Sequence, residues 1–181
     1  MFIFEVDENI VLRQLKLQDA NDLFQLTDYA REYLREWLPW VDSTRKPEDT
    51  LAFIDQTLKS AESKRALTAG IYFKGKLVGL ISFNSIDWAN RIGYIGYWLS
   101  PDYQGHGIVT SAARALTDYA FSTLELNRVD IRAAYENKKS RAIAERLGFT
   151  EEGKIRHAEW LYDHYVDHVI YGMLASEWYR F

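Results

Sequence analysis

Two glycines one residue apart, Gly105 and Gly107, lie in the stretch Tyr97-Trp98-Leu99-Ser100-Pro101-Asp102-Tyr103-Gln104-Gly105-His106-Gly107-Ile108-Val109-Thr110. An apolar strand pattern runs up to Pro101, which cannot continue a ladder. Beyond Thr110, the residues Ser111, Ala112, Ala113, Ala115, Leu116 and Tyr119 carry a helical pattern to about Leu124. A strand that stops, turns on glycine and opens a helix leaves the first N–H groups of that helix without carbonyl partners. With the positive end of the helix dipole, roughly half a charge, those donors suit phosphate oxygens. Glycine allows positive φ and close approach of an anion, which a Cβ would block. Gln104, Gly105, His106, Gly107, Ile108, Val109 and Thr110 are therefore read as a phosphate cradle, Thr110 adding a hydroxyl. A plain tight turn is the competing reading of a glycine pair; the position between a strand and an Ala-rich helix favours the cradle.

A second polar group lies downstream. Asn137-Lys138-Lys139-Ser140 is followed by Ala144 and then Leu147-Gly148-Phe149. Asn137 and Ser140 both suit a helix start, and Gly148 suits its end. His106, Arg114, Lys138, Lys139 and Arg141 flank the two motifs and are the cationic side chains that could meet phosphates. Glu159 stands in His157-Ala158-Glu159-Trp160-Leu161, and Asp167 reads as a hydrogen-bonding strand residue. Alternation puts His164 and His168 on one strand face without a matching carboxylate set, so no metal site is expected.

These motifs carry a resemblance. Gln104-Gly105-His106-Gly107-Ile108-Val109 is similar to the acyl-CoA pyrophosphate loop, Q/R-x-x-G-x-G/A, of the GNAT acetyltransferases. Gln104 and Gly107 match, while Val109 stands where the family has Gly or Ala. The segment from Asn137 to Phe149 resembles the N-x-x-S…L-G-F segment of the RimJ/RimL-like branch, which acetylates ribosomal-protein N-termini. With the order of elements, the resemblance covers nearly the whole chain. It implies a mixed α/β acyl-CoA N-acyltransferase fold: a central, mostly antiparallel sheet of about six to seven strands flanked by about four to five helices. It implies acetyl-CoA as co-substrate and direct transfer of acetyl to a primary amine, that of a protein N-terminus.

The resemblance also implies residue roles. The central strand splays from its neighbour at Trp98 and Leu99, so its freed backbone groups pair with the pantetheine arm and one N–H faces the thioester carbonyl. An oxyanion donor of that kind typically contributes about 3 kcal/mol to transition-state stabilisation. Asn137 hydrogen-bonds the arm, Ser140 protonates the departing thiolate, and Glu159 takes a proton from the amine through water. Many relatives carry a further glutamate where this chain has Tyr94, which cannot act as an ionised base near neutral pH. Neutralising a terminal α-amine near pH 7 costs roughly 1 kcal/mol, and a lysine roughly 4–5 kcal/mol. The departure at Tyr94 thus favours an α-amine, or a small amine of low pKa, over lysine. A polyamine- or aminoglycoside-like acceptor and a catalytically silent acyl-CoA sensor both stay open.

Composition narrows the classes. The chain has 181 residues, the size of one domain, and no linker, repeat or low-complexity tract divides it, so residues 1–181 are expected to form a single N-acetyltransferase domain. A net charge of −4 without a long block of like charge disfavours nucleic acid as a partner. The absence of cysteine excludes a disulfide framework, a thiolate zinc site and a cysteine acyl carrier, hence direct transfer in a ternary complex. Met1-Phe2-Ile3-Phe4-Glu5-Val6-Asp7-Glu8 has no basic stretch before an apolar run, and nowhere do about 18 apolar residues run together. No signal peptide or membrane span is expected, and the protein is placed in the cytoplasm. A dinucleotide oxidoreductase reads poorly, because Ile108, Val109 and Thr110 follow Gly107 and leave G-x-G-x-x-G incomplete. Aromatic residues make up 15%, a surplus that suits a homodimer.

The elements that must position these groups follow in order. Ile10–Leu15 reads as a strand, Asp19 and Asp22 open a helix, and Ala30–Leu38 forms a second helical piece stopped by Pro39. Tyr29, Tyr33, Trp37 and Trp40 cluster here, either as ordinary packing or, by the resemblance, as a wall of the acceptor site. Pro47 opens a helix with Leu51, Ile54, Leu58 and Ala61 on one face. Ala66–Phe73 and Leu77–Asn84 are strands joined at Lys74-Gly75, and Ile92–Leu99 is the central strand, its Gly93 and Gly96 marking a bulge or a close approach. Val129–Tyr135 is a strand, Ser140–Arg146 a helix, and Glu151–Leu161 with His164–Leu174 a final hairpin.

Overall fold

Ile92–Leu99 (β5) alternates its side chains across two faces, as strand geometry requires. Ile95 and Leu99 enter the main apolar core, whereas Trp98 packs against two smaller clusters on the other face. The structure, a computed structural model, describes residues 2–179. Its elements are β1 (Ile3–Glu5), β2 (Ile10–Gln14), α1 (Ala20–Tyr29), α2 (Arg31–Arg35), α3 (Pro47–Glu62), β3 (Leu67–Phe73), β4 (Lys76–Asp87), β5, α4 (Ile108–Ser122), β6 (Arg128–Ala134), α5 (Lys138–Arg146), β7 (Thr150–Leu161), β8 (His164–Leu174) and α6 (Ala175–Trp178).

The strands form one sheet in the order β1-β2-β3-β4-β5-β6-β8-β7, antiparallel throughout except for the β5–β6 pair. Among the described residues it has eight strands and six α-helices, more than the expected six to seven and four to five. The additions are β1, three residues paired to β2, and α6, one turn after β8. Both are too short to carry a readable period.

β5 and β6 pair only from Ile92 with Arg128 to Ile95 with Ile131. Past that point β5 keeps its partner on the other side, with Gly79 opposite Leu99, and β6 keeps β8, with Ala134 opposite His168. The sheet therefore opens like a V between Gly96–Leu99 and Arg132–Ala134.

Helices cover both faces. Ala112, Ala113, Ala115 and Ala120 give α4 a flat buried stripe against the core of Ile71, Ile81, Phe83, Val129, Ile131 and Tyr171. Each fully buried Leu, Ile or Phe contributes about 1.5–3 kcal/mol by leaving water. On the opposite face α1 and α3 close over Leu15, Leu23, Ile54 and Leu80. The Lys74-Gly75 turn has φ of +48° and +79°, matching the twist of a two-residue hairpin. The glycines of β5 mark close approach: a Cβ on Gly96 would lie 2.5 Å from the Asn84 amide, and one on Gly93 2.9 Å from the Phe83 ring. The bulge is in the facing strand, between Phe83 and Ser85. The helical piece from Ala30 is shorter than its pattern suggests, with Trp37 and Leu38 closing a turn on the Leu34 carbonyl ahead of Pro39. Among the described residues no helix is long and apolar enough to cross a membrane.

Candidate active site

After β5 the chain makes a 3-10 turn at Pro101–Tyr103 and enters the glycine loop. Gly105 and Gly107 have φ of +81° and +71°, the left-handed region that other residues adopt only under strain. A Cβ at either position would meet nothing within 4 Å, so the loop faces open space. No side chain caps α4, and its first turn carries no acidic residue. The N–H of Ser111 closes on the Gly107 carbonyl, but the N–H groups from Gly105 to Thr110 have no hydrogen-bond acceptor among the described residues. A fifteen-residue helix thus points a set of bare donors outward. These features fit a diphosphate: donors without partners, room above the glycines, and no competing carboxylate.

The V between β5 and β6 supplies the second half of such a site. Backbone groups of Gly96 to Leu99 on the side away from β4 lack a strand partner, because β6 has turned away. An extended amide-bearing arm could pair there as a strand would. The gap leads into a cleft of about 1090 Å³ shared by Trp98, Leu99, Gln104, Val109, Asn137, Ser140 and Glu159. Gly105, His106, Gly107 and Thr110 stand at the loop beyond that cleft, His106 exposed, while Ile108 turns its side chain into the core.

Gln104 is already engaged. Its amide nitrogen donates to the Tyr33 hydroxyl at 2.6 Å, and its carbonyl oxygen accepts from Lys139 Nζ at 3.0 Å. Tyr29 donates to Asp102 at 2.7 Å, so two tyrosines tie the α1–α2 corner to the loop. Of the five flanking cations, two are occupied elsewhere. Arg141 donates to the Tyr171 hydroxyl and the Tyr135 carbonyl, and Arg114 lies 5.8 Å from the Trp178 ring centroid. The alternation of polar residues along a helix does not reveal which neighbour claims them. Arg146, which sequence reading passed over, reaches the Thr110 hydroxyl at 3.3 Å.

On the α5 side Asn137 caps the helix, its side-chain oxygen accepting from the Ser140 N–H at 3.2 Å. Ser140 is left with a hydroxyl that has no hydrogen-bond partner among the described residues and lines the cleft. Its carbonyl accepts from the Tyr97 hydroxyl at 2.8 Å.

Glu159 stands at the edge of an irregularity in β7. Ile155 opposes His168 and Glu159 opposes Val166, so β7 spends four steps where β8 takes two. The surplus loops out at Arg156–Ala158, with His157 at a φ of +48° and its N–H bound to Asp167 at 2.8 Å. That bond holds the Asp167 carboxyl below its ordinary range. Two extra residues leave the alternation of β7 intact, so Glu159, opposite Val166, shares a face with His168 and lies 3.8 Å from its Nε2. Glu159 is thus one carboxylate beside His168, while His164 pairs with Asp163. Among the described residues no group of three or more His, Cys, Asp or Glu could hold a metal ion.

The opposite wall is aromatic. Tyr33, Trp37, Trp40 and Phe53 line the cleft, with the Trp40 and Trp98 rings 6.4 Å apart. Tyr29 does not join them and is mostly exposed. Asp49, a second carboxylate on the cleft, is occupied in accepting the Arg45 and Lys46 N–H groups at the start of α3. His168 and Arg132 also line the cleft, and no motif announces either. Tyr94, in the place of the absent strand glutamate, has Arg132 5.8 Å from its ring centroid.

Comparison with known proteins agrees with this geometry. A family model described as an acetyltransferase (GNAT) domain matches residues 9–150. YdaF of Bacillus subtilis (strain 168) is 38% identical over 179 residues, covering 98% of both chains. The ribosomal-protein-serine acetyltransferase of Escherichia coli (strain K12) is 31% identical over 172 residues, covering 95% of this chain and 96% of its own. Among solved structures, the microcin C7 self-immunity acetyltransferase MccE in complex with acetyl-CoA and AMP has a TM-score of 0.90 at 36% identity, covering 93% of this chain and 94% of that one. RimL, a ribosomal-protein α-N-acetyltransferase in complex with coenzyme A, has a TM-score of 0.91 at 30% identity, covering 96% and 98%.

Proposed function

The chain belongs to the GNAT acetyltransferases, and from that premise we propose that it acetylates the α-amine of a protein N-terminus, of the ribosomal-protein type. The reaction class is acetyl-CoA-dependent N-acetyl transfer, and residues 1–181 are taken as one domain because no linker or repeat divides them. The acceptor rests on one observation above the others. The cleft carries Glu159 as its carboxylate without a claimed backbone donor, and Tyr94 stands where, by the resemblance, many relatives carry a further glutamate. Such a site suits an amine whose neutralisation costs roughly 1 kcal/mol at neutral pH. The relatives named for ribosomal-protein acetylation point the same way.

Acetyl-CoA, when bound, supplies the acetyl group as an activated thioester. The loop and first turn of α4 hold its diphosphate, and the unpaired backbone of Gly96–Leu99 with Asn137 aligns its arm. A β5 N–H polarises the acetyl carbonyl. Glu159 accepts the proton that the amine gives up as the N–C bond forms. The C–S bond breaks, Ser140 gives its hydroxyl proton to sulfur, and Ser140 recovers a proton from solvent as Glu159 releases one.

A panel separates the acceptors: thiol release from acetyl-CoA is followed with N-terminal peptides, a lysine side-chain peptide and spermidine. Peptides with free N-termini should turn over fastest, and equal or faster turnover of spermidine would remove the N-terminal reading. A second reading, an amine carried by a nucleotide, is favoured by the Trp37–Trp40–Trp98 wall, which offers stacking faces, and by the AMP bound to MccE. An aminoacyl nucleotide analogue in the same panel tests it.

A further inference from the structure

We propose that Tyr97 is a positioning residue for the reaction: it sets the place of the Ser140 hydroxyl against the free backbone of β5. This rests on the reading of Ser140 as the group that protonates the departing sulfur. At Tyr97 the strand has lost β6, so no ladder of backbone bonds fixes its distance from the elements across the gap. The Tyr97 hydroxyl spans that gap and donates to the Ser140 carbonyl at 2.8 Å, and it is the side-chain hydrogen bond from β5 to α5 among the described residues. Its ring lines the cleft while its hydroxyl end is desolvated, and that burial pushes its pKa up, so it stays a donor.

Other contacts tie α5 to other elements, beginning with Lys139, which donates to Gln104 of the glycine loop at 3.0 Å. The Tyr171 hydroxyl accepts from Arg141 at 2.9 Å and donates to Glu145 at 2.9 Å. Asn137 caps the helix from within. Tyr171 thus fastens the middle of α5 to β8, and Tyr97 alone ties the turn that bears Ser140 to the strand whose amides face the acyl group. Removing one hydroxyl should let that turn drift by a fraction of an ångström, and proton transfer is sensitive to displacements of that size.

The test is a cycle of Tyr97→Phe, Ser140→Ala and the double variant, with Tyr171→Phe alone and with Ser140→Ala as control. Tyr97→Phe should lower kcat about tenfold, within the coupling expected for residues in contact, and leave coenzyme A affinity by calorimetry within about twofold. In the Ser140→Ala background the same change should cost less than about twofold, whereas the Tyr171→Phe effect should be additive. Amide exchange in residues 138–143 should rise in Tyr97→Phe at unchanged melting temperature. A folded Tyr97→Phe with wild-type kcat, or an equal loss with and without Ser140, overturns the proposal. Wild-type kcat in Ser140→Ala alone overturns the Ser140 reading, and the single variant shows it without the cycle.

Discussion

The two walls of the cleft are made of different material. One, from β5 through the glycine loop into α4, presents backbone N–H groups that secondary structure has left unpaired. The other, from α1 to α3 and across to the β7–β8 hairpin, presents side chains: two tryptophans, a tyrosine, a phenylalanine, a glutamate and a histidine. A backbone wall tolerates changes of side chain as long as φ and the hydrogen-bond deficit survive. Val109 is consistent with this, since it retains the N–H where the resembling loop has Gly or Ala. A side-chain wall has no such tolerance, and its chemistry changes with every residue that reaches it. The first is suited to a co-substrate common to a whole family, and the second to an acceptor that differs between members.

The sharpest way to break this comparison is Glu159→Gln. It should lower kcat/KM for the amine by about 100-fold, as loss of a general base does, while leaving coenzyme A affinity unchanged. The loss should be greatest at low pH, where more of the amine is protonated; a constant ratio to wild type across pH would remove Glu159 as the base. Gly107→Asp is the mirror experiment on the other wall. A charge and a Cβ against the phosphates should weaken coenzyme A binding at least tenfold by calorimetry. Unchanged affinity would reject the loop assignment.

Smaller effects sharpen the boundary between the walls. Trp40→Ala should raise the acceptor KM about fivefold through loss of one aromatic contact, with cofactor affinity unmoved in titration. Asp167→Asn should loosen the bulge that adjoins Glu159 and lower kcat about threefold. Because the His157 N–H holds the Asp167 carboxyl below its ordinary value, this support is present above about pH 4 and fades as pH falls through the lower folded value. Amide exchange over residues 155–160 should therefore be slow in the wild type from neutral pH down to about pH 4, and faster in Asp167→Asn across that range.

What was legible tracks the same division. Gly105 and Gly107, Asn137 with Gly148, Lys74-Gly75 and Pro47 each mark a local backbone event, and the structure has each event at that place. Seven of the eight strands follow from apolar periodicity, and β1 escapes because three residues hold no period. The cleft itself was less readable. Arg141 and Arg114 look like phosphate ligands in sequence, yet their partners come from β8 and α6. The two extra residues that bulge from β7 between Ile155 and Glu159 leave no mark in its apolar pattern.

The backbone donors were written in the local sequence: a strand, two glycines and an uncapped helix suffice, since all the needed atoms lie within fifteen residues of one another. Which side chains face them came from the folding of distant segments together. Ser140 is set by Tyr97, Gln104 by Tyr33 and Lys139, and the bulge beside Glu159 is closed by Asp167. Those partners are separated by ten to more than seventy residues, and a side chain's neighbours at that distance follow from strand register and helix packing, which no local pattern encodes.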